Sequence, residues 1–68
     1  MQTSARNQLQ GTVTAVSLGA VMAEVVLDVG GASVVAAITK ESAERLGLAV
    51  GKSVTAIIKA TDVMIGAD

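Results

Sequence analysis

The chain of 68 residues contains no cysteine, histidine, proline, phenylalanine, tyrosine or tryptophan. Each absence removes an option. Without cysteine there are no disulfides, and without cysteine or histidine the common zinc sites are excluded, so two usual staples of a small scaffold are missing. A domain of about 60 residues buries only roughly 60% of the surface its unfolded chain exposes, and its core needs a supplement. Oligomerisation is the supplement that remains. The lack of cysteine also fits a reducing compartment. No stretch approaches the roughly 20 apolar residues of a membrane span, and the N-terminus lacks the basic-then-apolar order of a signal peptide. The expectation is a cytoplasmic protein with no membrane partner.

The same absences narrow the chemistry. General acid-base and nucleophilic catalysis draw mostly on His, Cys, or a Ser or Lys beside a base. The carboxylates Glu24, Asp28, Glu41, Glu44, Asp62 and Asp68 show no catalytic spacing, and solvated faces account for them. The chain is therefore not expected to be an enzyme. Small barrels that bind nucleic acid stack bases on aromatic side chains in a positive groove. Here there are no aromatics, and five basic residues against six acidic ones give a net charge of −1. No nucleic-acid partner is expected, and any anion site must be local.

What is present is a hydrophobic fraction of 51%, built from Ala, Val, Leu, Ile and Met. That composition favours thin, closely packed strands whose apolar surface can continue across subunits. Leu9 to Val16 alternates in the period of a half-buried strand, and Ser17-Leu18-Gly19 reads as a turn. From Val21 to Val29 the odd positions are apolar while Glu24 and Asp28 fall on the other face, predicting a second strand. Gly30-Gly31 supplies a tight hairpin. Ser33 to Ile38 returns almost continuously apolar, which predicts a strand buried on both faces. Thr39 can cap a short helix over Lys40 to Leu46, with Glu41 in its first turn, Arg45 near its end and Gly47 as its C-cap. After a turn at Ala49 to Lys52, Ser53 to Ala60 reads as a fourth strand and Asp62 to Ile65 as a short fifth. The fold class is mainly β: a small five-stranded OB-like barrel, partly open, with one short helix, whose open edges could instead pair between chains.

Binding a doubly charged tetrahedral oxyanion takes cationic donors, hydroxyl or backbone N–H donors, and a pocket free of carboxylates. Three places offer them. Ser4 and Arg6 lie two apart, so an extended chain projects both to one face. Thr39 and Ser42 stand at the start of the short helix, where free N–H groups attract anions. Lys59 ends the fourth strand, and the N–H of Ala60 beyond it is a further donor. Each piece has an ordinary use as well: a solvated N-terminal arm, a helix cap, an edge-strand charge that discourages aggregation. A structural assembly module, whose apolar edges matter and whose basic residues do not, is thus the competing reading from another class.

The sequence also resembles a known family over nearly its whole length, in order and spacing. The pieces are S-A-R-N-Q-L (Ser4 to Leu9), G-A-V-M-A-E-V (Gly19 to Val25), A-A-I-T (Ala36 to Thr39) followed by Ser42, L-x-L-x-x-G-K (Leu46 to Lys52) and I-K-A-T-D-V-M-I (Ile58 to Ile65). Together they resemble a single Mop domain, residues 1–68, of the molybdate-binding molbindins, and also the ligand-binding domains of molybdate-responsive transcription regulators. The resemblance implies that Ser4, Arg6, Lys59 and the Ala60 backbone hold the anion at a subunit interface, with Thr39 and Ser42 approaching from a neighbouring chain. It implies no covalent cofactor and no metal beyond the oxyanion. It also implies strands exchanged between barrels, a homohexamer built as a trimer of dimers, and a second kind of anion site on the symmetry axis, which maps to no residues here.

The expected function is intracellular storage and buffering of molybdate, or of the closely similar tungstate. Phosphate is disfavoured because near neutral pH it keeps a proton that wants an acceptor, and a buried polar group left unpaired is costly. Sulfate must be rejected by size. With no DNA-binding helix pair and no nucleotide-binding loop, the chain is expected to be neither a whole regulator nor a transporter ATPase. The nearest alternative is an isolated molybdate-sensing domain of such a regulator.

Overall fold

The structure is a computed structural model describing residues 1–68. Its elements are strands β1 (Asn7–Leu18), β2 (Met22–Val29) and β3 (Ala32–Thr39), helix α1 (Lys40–Arg45), strand β4 (Ser53–Ile58) and a 3-10 turn over Ala60–Asp62. The strands form one antiparallel sheet in the order β3-β2-β1-β4.

The long first strand organises the sheet. Its first half pairs with β4, from Asn7↔Ile58 to Thr12↔Ser53, and its second half pairs with β2, from Thr12↔Asp28 to Leu18↔Ala23. The partners of β1 are thereby staggered to opposite ends. Between Val13↔Leu27 and Ala15↔Val26 the register slips, so Thr14 is the extra residue of a bulge. Its hydroxyl donates to the Val26 carbonyl at 3.2 Å. Just before the bulge, Gly11 lets β2 approach closely, since a Cβ there would lie 2.7 Å from the Asp28 carbonyl oxygen and 2.9 Å from Val29 Cγ2.

Alternation in β2 is as the sequence predicts: Ala23, Val25 and Leu27 are buried, Glu24 and Asp28 exposed. With Val13 of β1, Val25 and Leu27 form the centre of the core, and Val16, Val29, Val34, Ile38, Leu48, Val54 and Ala56 pack around it. The hairpin at Gly30-Gly31 has positive φ at both residues, as its tightness demands. Helix α1 packs against β2 and β3 through the buried Ala43.

Both ends of α1 are closed. Thr39 Oγ1 accepts from the Ser42 N–H at 3.1 Å as N-cap. At the other end, Leu48 N donates to Ala43 O (3.1 Å) and Gly47 N to Glu44 O (3.0 Å), the paired bonds of a Schellman motif. Gly47 sits at φ +64, as that motif requires. Lys52 Nζ adds donors to the Leu46 and Gly47 carbonyls, so this lysine belongs to the helix terminus.

Several expectations are corrected. The fifth strand does not form: Asp62 to Ile65 turns through the 3-10 element and then runs unpaired, with Met64 93% and Ile65 87% exposed. Without that strand, the sheet within one chain has four strands rather than five, with β3 and β4 as its two edges. Strand β3 is not buried on both faces; Val34, Ala36 and Ile38 are half-buried but Val35 is 59% exposed, because an edge strand has core on one side only. The first strand runs on through Leu18, moving the turn to Gly19–Val21. The helix ends at Arg45 and β4 at Ile58. The remaining class assignment stands, mainly β with one short helix.

Candidate oxyanion site

The β1–β4 ladder ends at Asn7↔Ile58. One step further out, the antiparallel register sets Arg6 opposite Lys59, which is why two basic residues 53 positions apart in sequence come together. A hollow of about 360 Å³ opens there, lined by Thr3, Ser4, Ala5, Arg6, Lys59, Ala60 and Thr61. Four of the six predicted site residues therefore share one cavity. The arm and the turn that carry them are exposed, apart from a half-buried Ala5.

Electrostatics favour an anion in this place. No carboxylate lines the hollow, and the one ion pair of the chain, Lys40 Nζ to Glu44 Oε1 at 3.9 Å, lies elsewhere. Arg6 and Lys59 thus present two positive charges side by side with no internal counterion, an arrangement that repels itself until an anion enters. Hydroxyls of Thr3, Ser4 and Thr61 surround them. Ala60 opens the 3-10 turn ahead of its first internal bond, from Asp62 N to Lys59 O (2.8 Å), so its N–H lies at the donor end of that turn.

Thr39 and Ser42 are not in this hollow. Thr39 is the last residue of β3 and pairs with Met22, beyond the Leu18 end of β1, whereas Arg6 and Lys59 flank the Asn7 end. The twelve residues of β1, Asn7–Leu18, separate those ends. Thr39 lines a different hollow, with Ala20, Val21, Lys40, Glu41 and Glu44. There Thr39 Oγ1 accepts from Ser42 N and donates to Ser42 Oγ at 2.8 Å. That pairing leaves the Ser42 hydroxyl proton free for an outside acceptor.

The hollow adds two residues that are not among the six candidates, Thr3 just ahead of the Ser4–Leu9 segment and Thr61 within the Ile58–Ile65 segment. Their signal was proximity in sequence: Thr3 stands three residues from Arg6 and Thr61 two from Lys59. A third hollow, lined by Gln10, Gly11, Thr12, Asp28, Gly30, Ser53, Val54 and Thr55, contains a carboxylate and no cation, and so does not suit an anion.

The family model of the TOBE domain matches residues 3–65. Among characterised proteins, the chain is 54% identical over 66 residues to molybdenum-pterin-binding protein 3 of Clostridium pasteurianum, covering 96% of this chain and 97% of that one. The structure is similar to that of a molybdate-binding protein from Sporomusa ovata, with a TM-score of 0.93 and 43% identity, over 98% of this chain and 100% of the other. It is also similar to the cytoplasmic molybdate-binding protein ModG, solved with molybdate bound, at a TM-score of 0.85 and 51% identity, over 88% of this chain and 43% of ModG.

Proposed function

This chain belongs to the TOBE-domain family, and from that premise we propose that it binds molybdate, reversibly and without transforming it. The observation that carries the proposal is the meeting of Arg6 and Lys59 at the end of the β1–β4 ladder, in a hollow with three hydroxyl residues and no carboxylate. Such a donor-only cavity suits a fully deprotonated tetrahedral dianion and offers nothing to the remaining proton of phosphate. The similarity to proteins whose names record molybdate binding supports the same ligand.

In this reading residues 1–68 act as one Mop-type domain. Ser4, Arg6, Lys59 and the Ala60 N–H hold one side of the anion, while Thr39 and Ser42 come from a neighbouring chain, because within one chain they lie at the far end of β1. The functional unit is a homo-oligomer, a hexamer assembled as a trimer of dimers with strands exchanged at its interfaces. Its role is storage and buffering of molybdate or tungstate in the cytoplasm. It catalyses no reaction. No helix is long and apolar enough to cross a membrane.

Calorimetric titration tests this directly. Molybdate and tungstate should give saturable uptake, with sulfate and phosphate far weaker. Absence of heat with molybdate would overturn the assignment in favour of the assembly module without ligand.

A further inference from the structure

The segment Thr3 to Arg6 precedes the first strand, so no ladder bonds fix its shape. Yet one residue in it has its backbone held from both sides. The N–H of Ala5 donates to Thr3 Oγ1 at 3.2 Å, and the carbonyl of Ala5 accepts from Gln8 Nε2 at 2.9 Å. Ala5 is the residue between Ser4 and Arg6, and it is half-buried while both of its neighbours are exposed. Fixing its backbone on both sides fixes the directions in which those neighbours leave the chain.

We propose that Thr3 and Gln8 are positioning residues for the oxyanion site: their side chains clamp the Ala5 backbone and hold Ser4 and Arg6 facing Lys59. This rests on the oxyanion reading above and adds to it a source of preorganisation. An exposed arm left free would lose backbone entropy each time an anion bound, weakening affinity; an arm already set in place does not. Gln8 is the cleaner member of the pair. It does not line the hollow, so its influence on an anion passes through the Ala5 carbonyl alone. Thr3 does line the hollow, and its hydroxyl can accept from Ala5 while still offering its own proton inward.

The experiment is a calorimetric titration of the whole chain with molybdate, on the parent and four variants, with oligomeric mass followed by light scattering. Thr3→Val keeps the shape and removes the acceptor; Gln8→Leu keeps the bulk and removes the donor. Each should weaken molybdate binding roughly three- to tenfold, the size of one net hydrogen bond, with the oligomer unchanged. Thr3→Ser, which retains the acceptor, should recover most of the loss. If Thr3→Val and Gln8→Leu bind as tightly as the parent while Arg6→Ala is strongly impaired, the clamp is wrong and the oxyanion site stands. A loss in Thr3→Ser with none in Thr3→Val would likewise overturn it, by pointing to methyl packing. If the parent itself takes up no molybdate, the function and the clamp fall together.

Discussion

Arg6 and Lys59 owe their meeting to register. Each follows or precedes a paired residue by one position, and antiparallel geometry does the rest. Because like charges placed across a ladder repel, removing either one should leave the ligand-free protein no less stable. It should cost binding instead: Arg6→Ala and Lys59→Ala are each expected to weaken molybdate affinity roughly ten- to hundredfold, the range for a hydrogen bond to a charged group. Titration beside a thermal melt distinguishes these effects, and variants that melt early but bind normally would contradict the assignment. At this scale the sequence showed which residue types are present, and the structure brings four of the six candidates, Ser4, Arg6, Lys59 and Ala60, to one hollow. Ser4 and Arg6, two apart, could be read as a pair, whereas the nearness of Thr3 and Thr61 to the same hollow follows from the fold.

At the level of elements, local chemistry decided most outcomes. The alternation of β2, the Gly30-Gly31 hairpin and the Thr39 cap were all readable, since each depends on residues within a few positions of one another. The end of α1 shows how tightly a few residues can specify a stop. The Schellman bonds require a left-handed residue, so Gly47→Ala should destabilise the protein by about 1–2 kcal/mol. Urea denaturation would measure it, with Gly66→Ala in the open tail as the neutral control. Strands β3 and the expected fifth were misread for a common reason. An apolar, β-branched run signals that a surface will be covered, but not by which chain, and both Val35 and the Val63-Met64-Ile65 run remain uncovered here.

For the whole molecule, the decisive quantity is unburied apolar surface. Only five of 68 residues are buried, and the accessible surface of 5147 Å² exceeds the roughly 3,900 Å² expected of a compact monomer of this length. The shape is elongated, 37 by 27 by 21 Å. Leu18, Val21, Val35, Met64 and Ile65 are each more than half exposed. Exposed apolar side chains in such number favour association with a further surface. Light scattering should therefore give a mass that is a whole multiple of the chain, and the thermal midpoint should rise with protein concentration, as mass action requires. A monodisperse monomer would contradict both the assembly and the shared site.

Composition and pattern alone determined the chemistry on offer: no thiols or imidazoles, no rings to stack bases, strand-period alternation of apolar residues, and basic residues with hydroxyl residues close by in sequence. Those are properties of residue types and short spacings, which a linear sequence carries in full. Only the tertiary structure decided that Arg6 and Lys59 share a hollow while Thr39 and Ser42 lie at the other end of β1. That division depends on which strands pair and in what register, and pairing is settled by long-range packing around Val13, Val25 and Leu27 rather than by any local run of residues.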